Sequence, residues 1–179
     1  MTKKIAIIDD DMLPMRYYAT ALTLDGYDVD CINNISAAYD ILFHSSGVKI
    51  DLLIIDIMMD PMTVYKADLC EDGLLTGLFL ARDIRKQYPS LPIILFSNAN
   101  ITSVILKARR LADRLSRCVY LLKLDYPPAK LVQFINEYFK KGRFTTGLLK
   151  KFLDSIILQP NIQGIGIDLK ELTKSKDKM

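Results

Sequence analysis

The sequence predicts an α/β domain: a parallel β-sheet with helices on both faces. Three observations point there. Five short apolar runs alternate strictly with five amphipathic stretches. The runs, among them IAII, LLII, IILF and VYLL, are continuously apolar, as strands buried on both faces must be. Acidic and other polar residues fall immediately after four of the runs, where a parallel sheet would gather them along one edge.

The elements follow in order. Residues 5–8 form an isoleucine-rich strand that ends abruptly at Asp9-Asp10-Asp11. Asp11 or Met12 then caps a helix with Pro14 in its first turn, continuing over 15–24 to Gly26. Residues 27–32 read as the second strand and 36–43 as the second helix. The third strand and its exit cover 51–58, and a long loop covers 59–72. A helix over 74–87 is stopped by Tyr88-Pro89. The fourth strand spans 93–96 and the fourth helix 102–117. The fifth strand spans 119–122, and Pro127 or Pro128 opens a fifth helix that runs to Lys141 and stops at Gly142. Right-handed crossovers make this a doubly wound sheet.

Composition narrows the class. The chain has 179 residues, half of them hydrophobic, enough for one substantial core. Its net charge of +3 does not by itself point to nucleic acid. The charge is uneven: residues 1–139 hold 15 Lys/Arg and 17 Asp/Glu, and residues 140–179 hold 9 and 4. An acidic body carries a basic tail. Cys31, Cys70 and Cys118 are widely spaced, form no CxxC, and read as free thiols of a reducing cytoplasm. The N-terminus fits neither a signal peptide nor a membrane anchor, and no apolar stretch approaches spanning length. The sole histidine, His44, reads as a loop residue; with no cysteine ligand beside it, zinc is not expected.

The first strand ends at Asp9 and Asp10, the third at Asp56, the fourth at Ser97 and the fifth at Lys123. Carboxylates gathered on one edge repel: a pair ~4 Å apart costs roughly 4 kcal/mol at an effective dielectric near 20. A cation must relieve the cluster. Hard oxygen ligands with no His or Cys nearby favour Mg²⁺. Any one of these residues alone would be a turn residue, a loop hydroxyl or a surface lysine; Asp11 reads as such a cap. Their joint occurrence, each directly after an apolar strand, is the signal.

On the segments IAIIDDD, DLLIIDIMMDPM, PIILFSNA and VYLLK, the sequence resembles the receiver domains of bacterial response regulators, including the chemotaxis type. The resemblance covers residues 3–141. It implies a flavodoxin-like sheet of five parallel strands in the order 2-1-3-4-5. It implies that Asp56 accepts a phosphoryl group, that Asp10 ligates Mg²⁺ directly with Asp9 assisting, and that the backbone carbonyl of Met58 completes the protein ligands. Ser97 takes the switch-hydroxyl position, Tyr120 the aromatic switch position and Lys123 the catalytic lysine position. The expected partners are a histidine kinase or phosphotransfer protein and an output protein. A second copy of the chain is a further candidate, through Leu131, Phe134, Ile135, Tyr138 and Phe139 of the fifth helix, which would serve a core or a dimer face.

Three departures stand out. Where the family usually has proline four residues after the acceptor, this chain has Asp60, with Pro61 next; the glycine that usually follows is matched by Gly77. Residues 62–76 then read largely as an insertion beside the site, a solvated acidic loop or a partner-selecting surface. Leu124, not proline, follows Lys123, so the turn after the fifth strand is expected to differ and the reach of Lys123 is in question. The positions two residues after the acceptor and two after the switch hydroxyl are Met58 and Ala99. Neither can orient a water or take its proton, which implies a long-lived phosphoaspartate.

Residues 1–141 therefore read as a receiver domain with a loop inserted at about 60–76, and 142–179 as a C-terminal extension. Residues 144–158 suit an amphipathic helix ended by Pro160, residues 163–169 a short strand or docking segment, and 170–179 a basic tail. Residues 143–179, thirty-seven in all, are too few for a winged-helix output domain. The function expected is a self-phosphorylating switch acting by protein contact, not a turnover enzyme. The alternative is a receiver-like interaction module that needs no phosphorylation. A phosphohydrolase of the haloacid-dehalogenase type would need a second Asp at Met58 and is not supported.

Overall fold

The computed structural model describes residues 2–45 and 49–144. They lie within one compact unit, Met1–Phe144. The helix, strand and basic tail expected beyond Phe144 lie outside the described residues.

Five strands, β1 (Lys4–Ile8), β2 (Asp28–Ile32), β3 (Leu52–Ile55), β4 (Ile93–Ser97) and β5 (Cys118–Leu122), alternate with α1 (Met12–Leu24), α2 (Ile35–Tyr39), α3 (Thr76–Gln87), α4 (Thr102–Arg114) and α5 (Pro128–Lys141). All strand pairs are parallel, and the order is β2-β1-β3-β4-β5. This is the doubly wound, flavodoxin-like sheet. α1 and α5 share one face, and every residue of β3 and β4 is buried. The central strands pack helices on both sides, which is why their apolar runs do not alternate with polar residues.

Local chemistry fixes the helix ends. The Asp11 side chain accepts a hydrogen bond from Leu13 N at 3.3 Å and caps α1. Asn34 caps α2 by accepting from Ala37 N at 2.8 Å. Pro128 opens α5, and Gly142 closes it at φ 67°, where a glycine is favoured.

Some boundaries differ from expectation. α2 is short and passes into a π-turn, Asp40–His44, closed by Ser45 N donating to Asp40 O. The Leu42 carbonyl within this turn accepts from the Tyr88 hydroxyl. α4 stops at Arg114 rather than 117, because Leu115 turns extended at φ −87° and ψ 124°; Arg117 then adopts a left-handed φ of 51° ahead of β5. The fifth-helix residues Leu131, Phe134, Ile135 and Tyr138 are buried in this chain's own core, whereas Phe139 is half-buried. The Phe144 ring stacks on Tyr138, 4.3 Å between centroids.

Candidate functional site

Strand register brings the acids together. Ile8 pairs with Ile55 across β1 and β3, so Asp9 and Asp56, one residue further on, are neighbours. Asp56 N donates to Ile8 O at 2.8 Å, and Asp9 N donates to Ile32 O at 3.0 Å, fixing both just past the sheet edge. Asp9, Asp10 and Asp56 each offer an oxygen, all within 4.8 Å of one another. Asp9 and Asp56 are buried and Asp10 is exposed.

Lys123 enters from the far side of the sheet. Its Nζ donates to Asp9 Oδ2 at 2.8 Å and lies 3.5 Å from Asp56 Oδ1. No proline follows Lys123. Lys123–Asp125 form a single 3₁₀ turn with trans peptides, closed by Tyr126 N donating to Lys123 O. This turn delivers the ammonium to the acids, so Lys123 reaches them. Leu124 points outward and is 79% exposed.

Electrostatics follow from this packing. Burial pushes the Asp56 carboxyl up to about 6; Asp9 adds to the rise, while Lys123, Ser97 and the Ile57 N–H oppose it. Burial works against the Lys123 ammonium, but Asp56 and Asp9 outweigh it and the pKa rises. When all three acids are ionised, one ammonium faces three carboxylates, and two negative charges are left uncompensated.

That surplus suits a small, hard divalent cation. Octahedral coordination at 2.0–2.1 Å places ligand oxygens roughly 3–4 Å apart, close to the spacing of these carboxylates. Among the described residues the Met58 carbonyl accepts no hydrogen bond, which leaves an oxygen available two residues past Asp56. No His or Cys joins the cluster.

Ser97 is 1% exposed at the end of β4, and its hydroxyl interacts with Asp56. Tyr120 sits inward on β5 at 7% exposure; its hydroxyl is buried without a partner, and the Arg109 guanidinium lies 6.0 Å from its ring centroid. Ala99 is buried and Met58 half-buried. All the residues expected at the strand ends therefore converge, with Tyr120 one strand residue away from the acids' edge.

The family model described as the response regulator receiver domain matches residues 5–113. The chain belongs to this family. Solved receiver domains share its fold. One is a CheY-like response regulator receiver domain protein from Methanospirillum hungatei JF-1, 18% identical, with a TM-score of 0.59 over 79% of this chain and 96% of that one. Another is a receiver domain protein from Clostridium thermocellum, 21% identical, with a TM-score of 0.60 over 78% and 96%. A third is the receiver domain of Francisella response regulator 1452, 21% identical, with a TM-score of 0.59 over 79% and 100%. No curated protein matches the chain in sequence.

Two features of this receiver domain were not foreseen as site residues. Tyr18 of α1 packs edge-on against Phe96, 5.0 Å between centroids; burial raises its pKa, and the Lys123 charge lowers it. A half-buried tyrosine on a helix carries no sequence signal for that position. The insertion, 62–75, is a series of turns tied down at both flanks. The Tyr65 hydroxyl donates to Asp83 at 3.0 Å, and Lys107 of α4 pairs with Glu71. No helix among the described residues is long and apolar enough to cross a membrane.

Proposed function

We propose that this receiver domain is a phosphoacceptor switch of a two-component phosphorelay, taking a phosphoryl group on Asp56 in a Mg²⁺-dependent reaction and acting through protein contact. The observation that carries the reading is the convergence of Asp9, Asp10 and Asp56 with Lys123 within contact distance.

In the proposed reaction an Asp56 carboxylate oxygen attacks phosphorus, a P–O bond forms, and the P–N bond to a donor phosphohistidine breaks. Asp9, Asp10, Asp56 and the Met58 carbonyl would hold Mg²⁺, which offsets charge on the phosphoryl oxygens when bound. Lys123, already 3.5 Å from Asp56, offsets the charge on another of those oxygens. The Ile57 N–H, donating to Asp56 Oδ1 at 2.9 Å, holds the carboxylate in place for in-line attack.

Ser97 then donates to the phosphoryl group, and its loop moves inward. Tyr120, whose hydroxyl has no partner where it lies, settles against the space that opens. The surface of α4, β5 and α5 changes with it, and an output protein reads the change. The incoming group is supplied by a histidine kinase or phosphotransfer protein.

Beryllofluoride with Mg²⁺ tests this reading against a module that needs no phosphorylation. A competent site gains thermal stability by linkage, and the gain vanishes in Asp56→Asn. No gain in the wild type favours the phosphorylation-independent module.

A further inference from the structure

Beside the acids, the insertion borders an open groove of about 560 Å³ lined by Asp10, Met58, Asp60, Met62, Asp72 and Leu74, among others. We infer that this groove receives a basic side chain, an arginine above all, from the protein that donates the phosphoryl group, so that the insertion selects the donor. The inference rests on the phosphoacceptor reading and deepens it.

Position comes first. Asp10 belongs both to the acid cluster around Asp56 and to the groove wall. The two spaces share Asp10 as a wall, so a donor presenting phosphorus to Asp56 lays neighbouring side chains beside the groove. The acceptor loop and the insertion are also joined there. Asp60 N donates to Asp10 Oδ2 at 3.4 Å, and Met59 N donates to Gly73 O at 3.1 Å.

Charge decides what enters. With Asp10 engaged by a metal ion, Asp60 and Asp72 remain on the rim. Among the described residues neither makes an ion pair, whereas Glu71 of the same loop is paired with Lys107. Two uncompensated carboxylates repel a second phosphate or any anionic ligand and attract a cation. Asp60 accepts from Met62 N at 2.8 Å, which orients one of its oxygens and leaves the other open.

The apolar walls complete the fit. Met58, Met62 and Leu74 offer a polarizable surface, and Met62 is half exposed. An arginine stem lies along such a surface while its planar fork bridges carboxylates. Met62 and Asp72 both adopt left-handed φ, 48° and 52°, a conformation L residues rarely take. The groove wall is thus held in an uncommon backbone shape.

The test compares donors on the full chain with Mg²⁺: acetyl phosphate, a phosphohistidine peptide carrying an arginine beside the phosphohistidine, and the same peptide with glutamine there. The wild type is expected to take label from the arginine peptide about fivefold faster than from the glutamine peptide, the ratio a partly exposed ion pair sustains. That ratio shrinks in high salt. It falls towards one in D60N/D72N; after glycine, asparagine is the residue that best tolerates the left-handed position of Asp72, and using a ratio cancels any general effect on the site. Labelling by acetyl phosphate with equal peptide rates overturns the groove and leaves the phosphoacceptor standing. An unchanged ratio in D60N/D72N also overturns it. Absence of label from every donor overturns both.

Discussion

Gly77 lies so close beneath Asp56 that a Cβ built on it would stand 1.9 Å from the Asp56 carbonyl oxygen. Gly77 N also donates to Ile57 O at 3.0 Å, tying the start of α3 to the acceptor loop. Side chains at this position would push the acceptor loop off the sheet. Gly77→Ala is expected to cost about 3 kcal/mol of stability, at the upper end for overpacking against backbone. Gly26→Ala is the control: nothing lies within 4 Å of its Cβ, and only its φ of 97° is strained, so about 1 kcal/mol is expected. Thermal or urea melts of the two variants check the contrast.

The Asp56 carboxyl, raised to about 6 chiefly by burial, makes stability depend on pH in a definite direction. Because its folded pKa lies above the unfolded value of 3.8, its contribution is fully present below the unfolded pKa and is lost as pH rises through about 6. The shift of roughly two units corresponds to about 3 kcal/mol. In metal-free buffer, Asp56→Asn should therefore be more stable than wild type at pH 7, with the difference closing by pH 4. Urea titrations across that range check it.

Among the described residues, Lys123 is the one ammonium on a buried pair of carboxylates. Lys123→Met removes the charge and keeps the bulk, leaving Asp9 and Asp56 facing each other. A loss of about 3–5 kcal/mol in metal-free buffer is expected, as for other broken buried pairs. Mg²⁺ should restore part of it by occupying the same field. Paired melts with and without the metal distinguish this from a packing defect, which Mg²⁺ would not repair.

The side chains of Met58 and Ala99, two residues past Asp56 and Ser97, carry no group that directs a water. Phosphoaspartate on the isolated protein is expected to be lost slowly in Mg²⁺, and Met58→Glu to speed the loss. Following label decay in both proteins checks it; rapid decay in the wild type contradicts it.

Much of this molecule was legible from the chain itself, for physical reasons that differ by region. The central strands had to be continuously apolar, so IAII, LLII and IILF announced a sheet covered on both faces. The acids declared themselves because each followed a buried strand, and the register of Ile8 with Ile55 did the rest. What was hidden depended on contacts between distant residues. The π-turn at Asp40–His44 is completed by Tyr88, which lies far along the chain. The reach of Lys123 depended on a 3₁₀ turn that no proline signals. The insertion read as a solvated acidic loop, yet Tyr65 and Glu71 anchor it to Asp83 and Lys107.

The most direct measurement is the intact mass of the full chain after incubation with a small phosphodonor and Mg²⁺, wild type beside Asp56→Asn. A gain of one phosphoryl group in the wild type, absent without Mg²⁺ and absent in Asp56→Asn, is the predicted result. An unmodified wild type, or equal modification of Asp56→Asn, would contradict the assignment of Asp56 as the acceptor.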